Sequence, residues 1–597
     1  MPIRRPATRS ALCAALLLGA GGRAHASPAP AGGAGATDGG MVCPGGRITE
    51  VFVDNNSVFE TDGAEARRFQ WAYRLANRLH VRTREEVIRR ELLFHEGDCY
   101  DPAMLEDSER ILRASPFIAD ADVFGVRQAD GSYHVVVQTR DEWSTRLEAQ
   151  VRGSAELSGV ELREDNLLGT GQHVSAFVWD EHGERVYGAS YGTTQLAGTH
   201  VNAYLEVAHT PVGASFRERL AYPFRGETGR FAVLQQVEQE EDYFEYLGRK
   251  DGARVQYLFP QRRRSFDVGA VTRLGHRGNL TLFGVGLTGE WIDYPRGVRV
   301  NGLAADVLPA APDSSVLGLD SISDLRVVFL AGQRNVHFDR RRALDAVRGA
   351  EDVRLGAEVE LGVGRSLTAF SSGDDIALDL GMFVAGDLPG GILAGGRMLV
   401  QGRRDNEAPS GLAEWRDVFS QLDAWAYWRP TPEGHHTVVA AVQGAGGWHT
   451  DVPFQLTLGS QAGLRGFTRH AYTGERRAVV TLEDRAYLAW PYPQLFDLGT
   501  AVFVDAGKSW AGRDPFGATT PLQVSVGAGL RLAFPPDSRR TYRLDVAYPV
   551  VSSGLKRSVT VSIGVGQAIG RSAAGDDPQL RRSARRLLSP SVFSFPN

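Results

Sequence analysis

Val559-Thr560-Val561-Ser562-Ile563-Gly564-Val565-Gly566 alternates β-branched residues with polar or small ones along its whole length. Successive side chains of a strand point to opposite faces, so this segment has one apolar face and one polar or small face. The pattern recurs upstream. Tyr542, Leu544, Val546 and Tyr548 alternate with Arg543, Asp545 and Ala547. Val524, Val526, Ala528, Leu530 and Leu532 alternate with Ser525, Gly527, Gly529 and Arg531, and Val201, Ala203, Leu205 and Val207 with Asn202, Tyr204 and Glu206. No helical stretch lies between these segments to cover the apolar face. In a soluble sandwich a second sheet would cover it; in a membrane barrel lipid does, and the polar face lines a lumen.

The N-terminus favours the barrel. Arg4, Arg5 and Arg9 precede an apolar run from Ala11 to Ala20, and small residues follow to Ala24-His25-Ala26. This reads as a secretory signal, residues 1–26, cleaved after Ala26. Cys13 lies inside the apolar run with no small-residue lipobox before it, so no lipid anchor is expected. No run of about 18 apolar residues follows, which excludes a helical membrane span. The pattern fills residues 144–569, and closing such a sheet satisfies every backbone group in lipid. At about 25 to 27 residues per strand and connection, about 16 antiparallel strands are expected in this outer-membrane β-barrel.

Residues 27–45 are rich in Pro, Ala and Gly and read as a flexible leader. A small α+β domain is expected at 46–143. Its first strand is Ile48 to Val53, and Arg67 to Leu79 carries apolar residues at helical spacing. Thr83-x-x-Glu86 reads as a capping box ahead of Val87, Ile88, Leu92 and Leu93. Asp101 caps a further helix with Pro102 in its first turn. Strands Ala121 to Val126 and Tyr133 to Thr139 close the domain. Cys43 and Cys99 remain after signal removal; in an oxidising periplasm they can pair, and the alternative is two free thiols. The net charge of −5 argues against a nucleic-acid surface.

Three motifs invite a catalytic reading. Gly188-Ala189-Ser190-Tyr191-Gly192 matches a nucleophile elbow, but it lies in an alternating strand with no helix after it. Gly284-x-Gly286-x-x-Gly289 matches a dinucleotide fingerprint and likewise lacks a following helix N-terminus. His435-His436 has no Cys or carboxylate at metal-ligand spacing. No catalytic residue, metal or cofactor is expected.

Further along, Gly463-Leu464-Arg465-Gly466-Phe467 sits in a polar, Gly-rich segment. Downstream come Leu482-Glu483-Asp484-Arg485 and Phe503-Val504-Asp505-Ala506-Gly507. Strand parity sets Phe503 and Asp505 opposite Val502 and Val504, so Asp505 points into the lumen. A lumenal arginine among such carboxylates would be a charge-assisted anchor for a loop.

Here the chain resembles the BamA/TamA superfamily of outer-membrane assembly factors (bacterial surface antigen family), whose sixth extracellular loop carries a [V/I/L]-R-G-[F/Y] motif folded into the barrel. The domain at 46–143 looks like one POTRA module of that family. Asp165-Asn166-Leu167-Leu168-Gly169-Thr170-Gly171-Gln172 is similar to the N-L-x-G-x-G-Q segment after the first barrel strand. The resemblance implies that Leu464, Arg465, Gly466 and Phe467 form the loop anchor, with Glu483 and Asp505 as lumenal carboxylate partners and Phe503 and Gly507 in support. It also implies an outer-membrane location with the first domain in the periplasm, and unfolded outer-membrane or secreted clients, outer-membrane lipid and accessory periplasmic or lipoprotein subunits as partners.

The chain departs from the family in having a single POTRA-like domain, an added helix near its start, and an extension at 570–597 carrying Arg581, Arg582, Arg585 and Arg586 in place of a terminal aromatic. Three roles are open to such a chain: insertion of outer-membrane proteins with strand templating at a seam between Thr145–Ser154 and Ser558–Ile569, two-partner secretion, or a passive channel or surface antigen.

Overall fold

The computed structural model describes residues 43–59, 69–152, 156–250, 253–295, 297–301, 317–407, 415–430, 435–488, 490–585 and 587–588. The expected secretory signal, its expected cleavage site and almost all of the expected leader lie outside the described residues.

The first part is α+β. Strand β1 (Ile48–Asn56) leads to helices α1 (Gln70–Leu79), α2 (Glu85–Glu91) and α3 (Pro102–Ala114), then to β2 (Ile118–Arg127) and β3 (Tyr133–Asp141). The sheet order is β1-β3-β2, with β1 parallel and β2 antiparallel to the central β3. Ile48, Val87, Ile88, Leu105, Leu112, Val135 and Val137 pack between sheet and helices as its core. α3 starts as its sequence specifies: Asp101 accepts from Ala103 N at 2.9 Å and Pro102 occupies the first turn. α2 does not. It begins at Glu85 with no side-chain cap, because the Thr83 hydroxyl instead accepts from Asn166 Nδ2 at 2.9 Å.

The wall opens with β4 (Thr145–Arg152), β5 (Glu156–Glu164), β6 (Gln172–Glu181), β7 (Glu184–Thr193), β8 (Asn202–His209) and β9 (Ala214–Tyr222). Longer strands follow: β10 (Phe231–Lys250), β11 (Ala253–His276), β12 (Asn279–Asp293), a short β13 (Arg299–Asn301) and β14 (Ile322–Arg342). Next come β15 (Ala350–Ser366), β16 (Asp375–Leu388), β17 (Ile392–Asp405), β18 (Trp415–Trp428) and β19 (His436–Trp448). A two-stranded hairpin, β20 (Leu456–Leu458) and β21 (Tyr472–Gly474), stands apart from the wall. The last wall strands are β22 (Arg476–Leu488), β23 (Asp497–Trp510), β24 (Gln523–Ala533), β25 (Tyr542–Val551) and β26 (Thr560–Val565).

These strands form a closed antiparallel barrel in which β26 neighbours β4. Among the described residues the ring holds 21 strands, where about 16 were expected. One of them, β13, is a three-residue extension on β11, since β12 pairs directly with β14. The excess arises because β4 to β9 are short and closely connected: six strands fit into residues 145–222. A second difference lies at the end. β26 stops at Val565 and not near Ile569, since Gly566 adopts φ +81° and donates to Thr541 O at 2.7 Å, turning the chain inward.

Parity divides the wall. Val480, Leu482, Val502, Val504, Val561 and Ile563 are exposed on the outer face, Ile563 at 69% and Leu482 at 55%. Their intervening neighbours, including Glu483, Phe503, Asp505 and Asp545, are buried on the lumenal face. An apolar outer face and a charged inner face is the distribution a lipid-embedded barrel requires. Among the described residues no helix is long and apolar enough to cross a membrane.

The small domain lies across one mouth of the barrel and touches many of its turns. Tyr73 OH donates to Gln494 O at 2.7 Å and Gln195 Nε2 to Val87 O at 2.9 Å. Arg113 holds Asp352, Arg277 pairs with Glu106 and Asp107, and Ser538 bonds Glu142. The Asn166-Leu167-Leu168-Gly169 turn also lies against the domain, with Arg84 N–H donating to Gly169 O at 2.9 Å. It joins β5 to β6, so the motif follows the second wall strand and not the first. Gly169 has φ +74°, and a Cβ there would stand 2.3 Å from Arg82 O. Any side chain would part the turn from the domain.

Candidate functional site

The hairpin β20–β21 and its connecting loop fold into the barrel. Leu458, Leu464, Phe467 and Ala471 pack with Val479 of the wall as a small apolar cluster that seats the loop. Gly463 (φ +87°) and Gly466 (φ +88°) bracket Leu464 and Arg465 with left-handed turns. Those two turns aim the Arg465 side chain at β22 and β23.

Arg465 is buried, as are the carboxylates that face it. Its Nε and Nη2 donate to Asp505 at 3.0 and 2.9 Å, its backbone N–H donates to the same carboxylate at 3.1 Å, and Nη1 donates to Glu483 Oε2 at 2.6 Å. The guanidinium also stacks 3.3 Å above the centroid of Phe503. Thr481 Oγ1 bonds the Asp505 oxygen from the side at 2.9 Å. Ser525 donates to the Arg465 carbonyl. Gly507 lies beneath the loop, where a Cβ would come within 3.0 Å of Leu458. Leu464, Arg465, Gly466, Phe467, Glu483, Phe503, Asp505 and Gly507 therefore meet in one place.

Sequence reading missed the other half of this cluster. Asp545 on β25 lies 3.7 Å from Arg465 and 2.6 Å from Arg531 of β24. Arg485 donates to Glu483 at 2.8 Å and reaches Asp345 at 3.0 Å. Strand parity places Asp545 and Arg531 on the polar face, so the signal was present; their convergence on Arg465 was not, because it depends on which strands are neighbours. The cluster alternates three arginines with four carboxylates, and each buried charge has opposite charges beside it, as burial in low dielectric demands. Its chemistry is that of a rigid, bidentate clamp on a loop.

The remaining motifs take ordinary places. Ser190 bonds His173 Nε2 at 2.8 Å and Ser175 at 2.9 Å, with His173 Nδ1 3.4 Å from Asp165. This serine, histidine and aspartate lack one requirement of acyl transfer. Ser190 lies mid-strand, paired to β6 and β8, so the surrounding amides are committed to ladders and cannot hold an oxyanion. Gly284, Gly286 and Gly289 lie within β12, paired on both sides. His436 pairs with Asp484 at 3.0 Å, and His435 stacks on Tyr487. Cys43 and Cys99 are each disulfide-bonded.

No family model matches this chain, and no curated protein matches it. Among solved structures it is similar to BamA from Haemophilus ducreyi lacking POTRA domains 1-3, at 13% identity over 86% of this chain and 85% of that one, with a TM-score of 0.34. It is similar to CdiB from Escherichia coli at 13% identity over 87% and 76%, TM-score 0.41. CdiB from Acinetobacter baumannii is 11% identical over 87% and 74%, TM-score 0.35. These superpositions are loose and carry no functional argument by themselves.

Proposed function

We propose that this chain is an outer-membrane assembly factor of the BamA/TamA superfamily, with the β1–β3 domain as a single periplasmic POTRA module and the loop around Arg465 as an anchored lid. The Arg465 clamp is the observation that supports this most. A loop tied to the inner wall by a doubly bonded guanidinium would give a barrel that changes shape around a client a fixed internal reference.

An extended client would pair with the sheet edge at β2, where main-chain bonds give affinity without demanding a sequence. Glu109 already bonds Val123 N and Arg113 bonds Ala121 O, which leaves the Phe124–Arg127 end for that role. Phe124 and Val126 are exposed there. The seam between β4 and β26 would then open to template a client strand. β26 has six residues against ten in β25, and Gly564 contributes no side chain to its packing. No nucleotide is needed, because strand pairing and lipid burial favour the product.

Depletion of the protein followed by outer-membrane proteomics tests the assembly role. Barrel-protein levels are expected to fall; unchanged levels would remove it. The second reading, export of one dedicated client through the lumen, draws support from the charged residues on the inner face of the closed ring. Loss of a single secreted protein with a normal outer membrane would favour that reading.

A further inference from the structure

After Val565 the described residues stay inside the barrel. Gln567–Arg585, with Leu587 and Leu588, pack against the inner wall, so the expected trailing extension is in large part an internal segment. Arg485 Nη2 donates to Ile569 O at 2.8 Å, and Arg571 pairs with Glu351 at 3.0 Å. A short helix, α4 (Pro578–Ser583), is capped by Asp577, which also pairs with Arg477. Gln579 and Thr457 exchange two hydrogen bonds, of 2.6 and 2.9 Å, which ties this segment to the hairpin of the Arg465 loop.

The far end of the segment occupies a built recess. The buried Arg585 guanidinium lies among Glu290 at 3.3 Å, Asp324, and Asp417 at 3.9 Å. Leu587 and Leu588 fill space that wall glycines leave open. A Cβ on Gly364 would stand 2.6 Å from Leu587, one on Gly269 2.6 Å from Leu588, and one on Gly286 3.2 Å from Leu588. Gly286 belongs to the glycine run of β12, so part of that motif has a reason in packing.

We propose that Gln567–Leu588 is a removable plug, and that the recess it fills is a binding site for a peptide of the form Arg-x-Leu-Leu. The recess survives without its occupant. Glu290, Asp324 and Asp417 each keep a wall arginine of their own, at 2.6 Å from Arg263, 2.8 Å from Arg326 and 2.6 Å from Arg403. Withdrawal of Arg585 thus leaves each of these three carboxylates a cation of its own. The plug itself has little intrinsic order, since a six-residue helix does not hold alone. Its exit releases Thr457 and Arg477, which couples the lumen to the loop that Arg465 anchors. The proposal rests on the barrel and not on which client is handled.

Conductance in planar bilayers tests it with the full chain. Wild type is expected to be closed for most of the record. Arg585→Glu sets a fourth negative charge against three carboxylates and is expected to raise the open population about a hundredfold. A synthetic peptide of residues 567–588 should then block the opened pore, while the same peptide carrying Arg585→Glu should not. An unchanged conductance in Arg585→Glu that keeps a folded, heat-modifiable barrel overturns the plug; an opened pore indifferent to the peptide overturns the binding site. If that variant does not fold, a Thr457→Cys, Gln579→Cys pair serves. Oxidation should abolish the residual openings and reductant restore them, with wild type under reductant as control, and openings indifferent to oxidation overturn the plug. A working plug with an unchanged outer-membrane proteome on depletion would sink the assembly role and leave this inference standing.

Discussion

Arg465 grips Asp505 with two parallel hydrogen bonds, Nε to Oδ2 at 3.0 Å and Nη2 to Oδ1 at 2.9 Å, across 40 residues of chain. Truncation at Arg465→Ala leaves buried Asp505 and Glu483 facing each other without that cation, at a cost on the order of 3–5 kcal/mol to the docked loop. The wall does not depend on the loop for its ladders, so a folded, heat-modifiable barrel with a protease-sensitive 456–475 segment and impaired activity is expected. Asp505→Ala should match it, and Arg465→Lys should rescue little, since an ammonium cannot bond both oxygens in one plane. Wild-type function in both alanine variants would refute the anchor.

Gly466 holds φ +88°, and a Cβ there would lie 2.9 Å from the Ser525 Cβ on β24. Gly466→Ala therefore meets both the left-handed penalty, about 1–2 kcal/mol, and a clash with the wall. Faster proteolysis of the loop with an unchanged barrel melting temperature is the expected outcome; equal cleavage rates would contradict it.

Asp514 lies in the loop between β23 and β24, where burial pushes its carboxyl up to about 7. It accepts from Gln455 Nε2 at 3.2 and 3.1 Å and from Phe516 N at 2.9 Å. A folded-state value raised above the ordinary one means that the docked loop holds the proton more tightly. The associated stabilisation is complete below about pH 4 and is lost as pH rises through about 7. Amide exchange at Phe454–Leu458 should accelerate between pH 5 and 8 beyond the intrinsic chemical rate. Asp514→Asn should flatten that dependence.

Arg113 of α3 spans Asp352 with bonds of 2.8 and 2.6 Å and fixes the small domain against the start of β15. Asp352→Ala should loosen the domain by about 1.5–3 kcal/mol, the usual worth of bonds to a charged group. Hydrogen exchange should then rise in α3 and at the β2 edge while the wall stays protected. Unchanged exchange in α3 would show that the other turn contacts suffice.

Cys43 and Cys99 are each disulfide-bonded, and we expect them to be paired with one another. Mass spectrometry of the purified protein without reductant should recover one cross-linked peptide holding both. Two free thiols would dismiss the bridge.

The pairing of Arg465 with Glu483 and Asp505 was implied by the family resemblance. Period-two alternation together with the N-terminal signal was enough to read the barrel class and the inward face of Asp505, because which face a side chain takes is a local property of a strand. The small domain's order of strand, helices, strand, strand was legible for the same reason, and Asp101 with Pro102 marks a helix start wherever it occurs. Quantities set by distant partners were not legible. The number of strands depends on how short the β4–β9 hairpins are; Thr83 leaves its helix because Asn166 reaches it from the wall; Asp545 and Arg531 join Arg465 only once β22 to β25 are neighbours. The course of Gln567–Leu588 is the extreme case. Its sequence reads as a basic tail, and only closure of the ring brings Glu290, Asp324, Asp417 and three wall glycines together to receive it, since none of those contacts lies within reach along the chain.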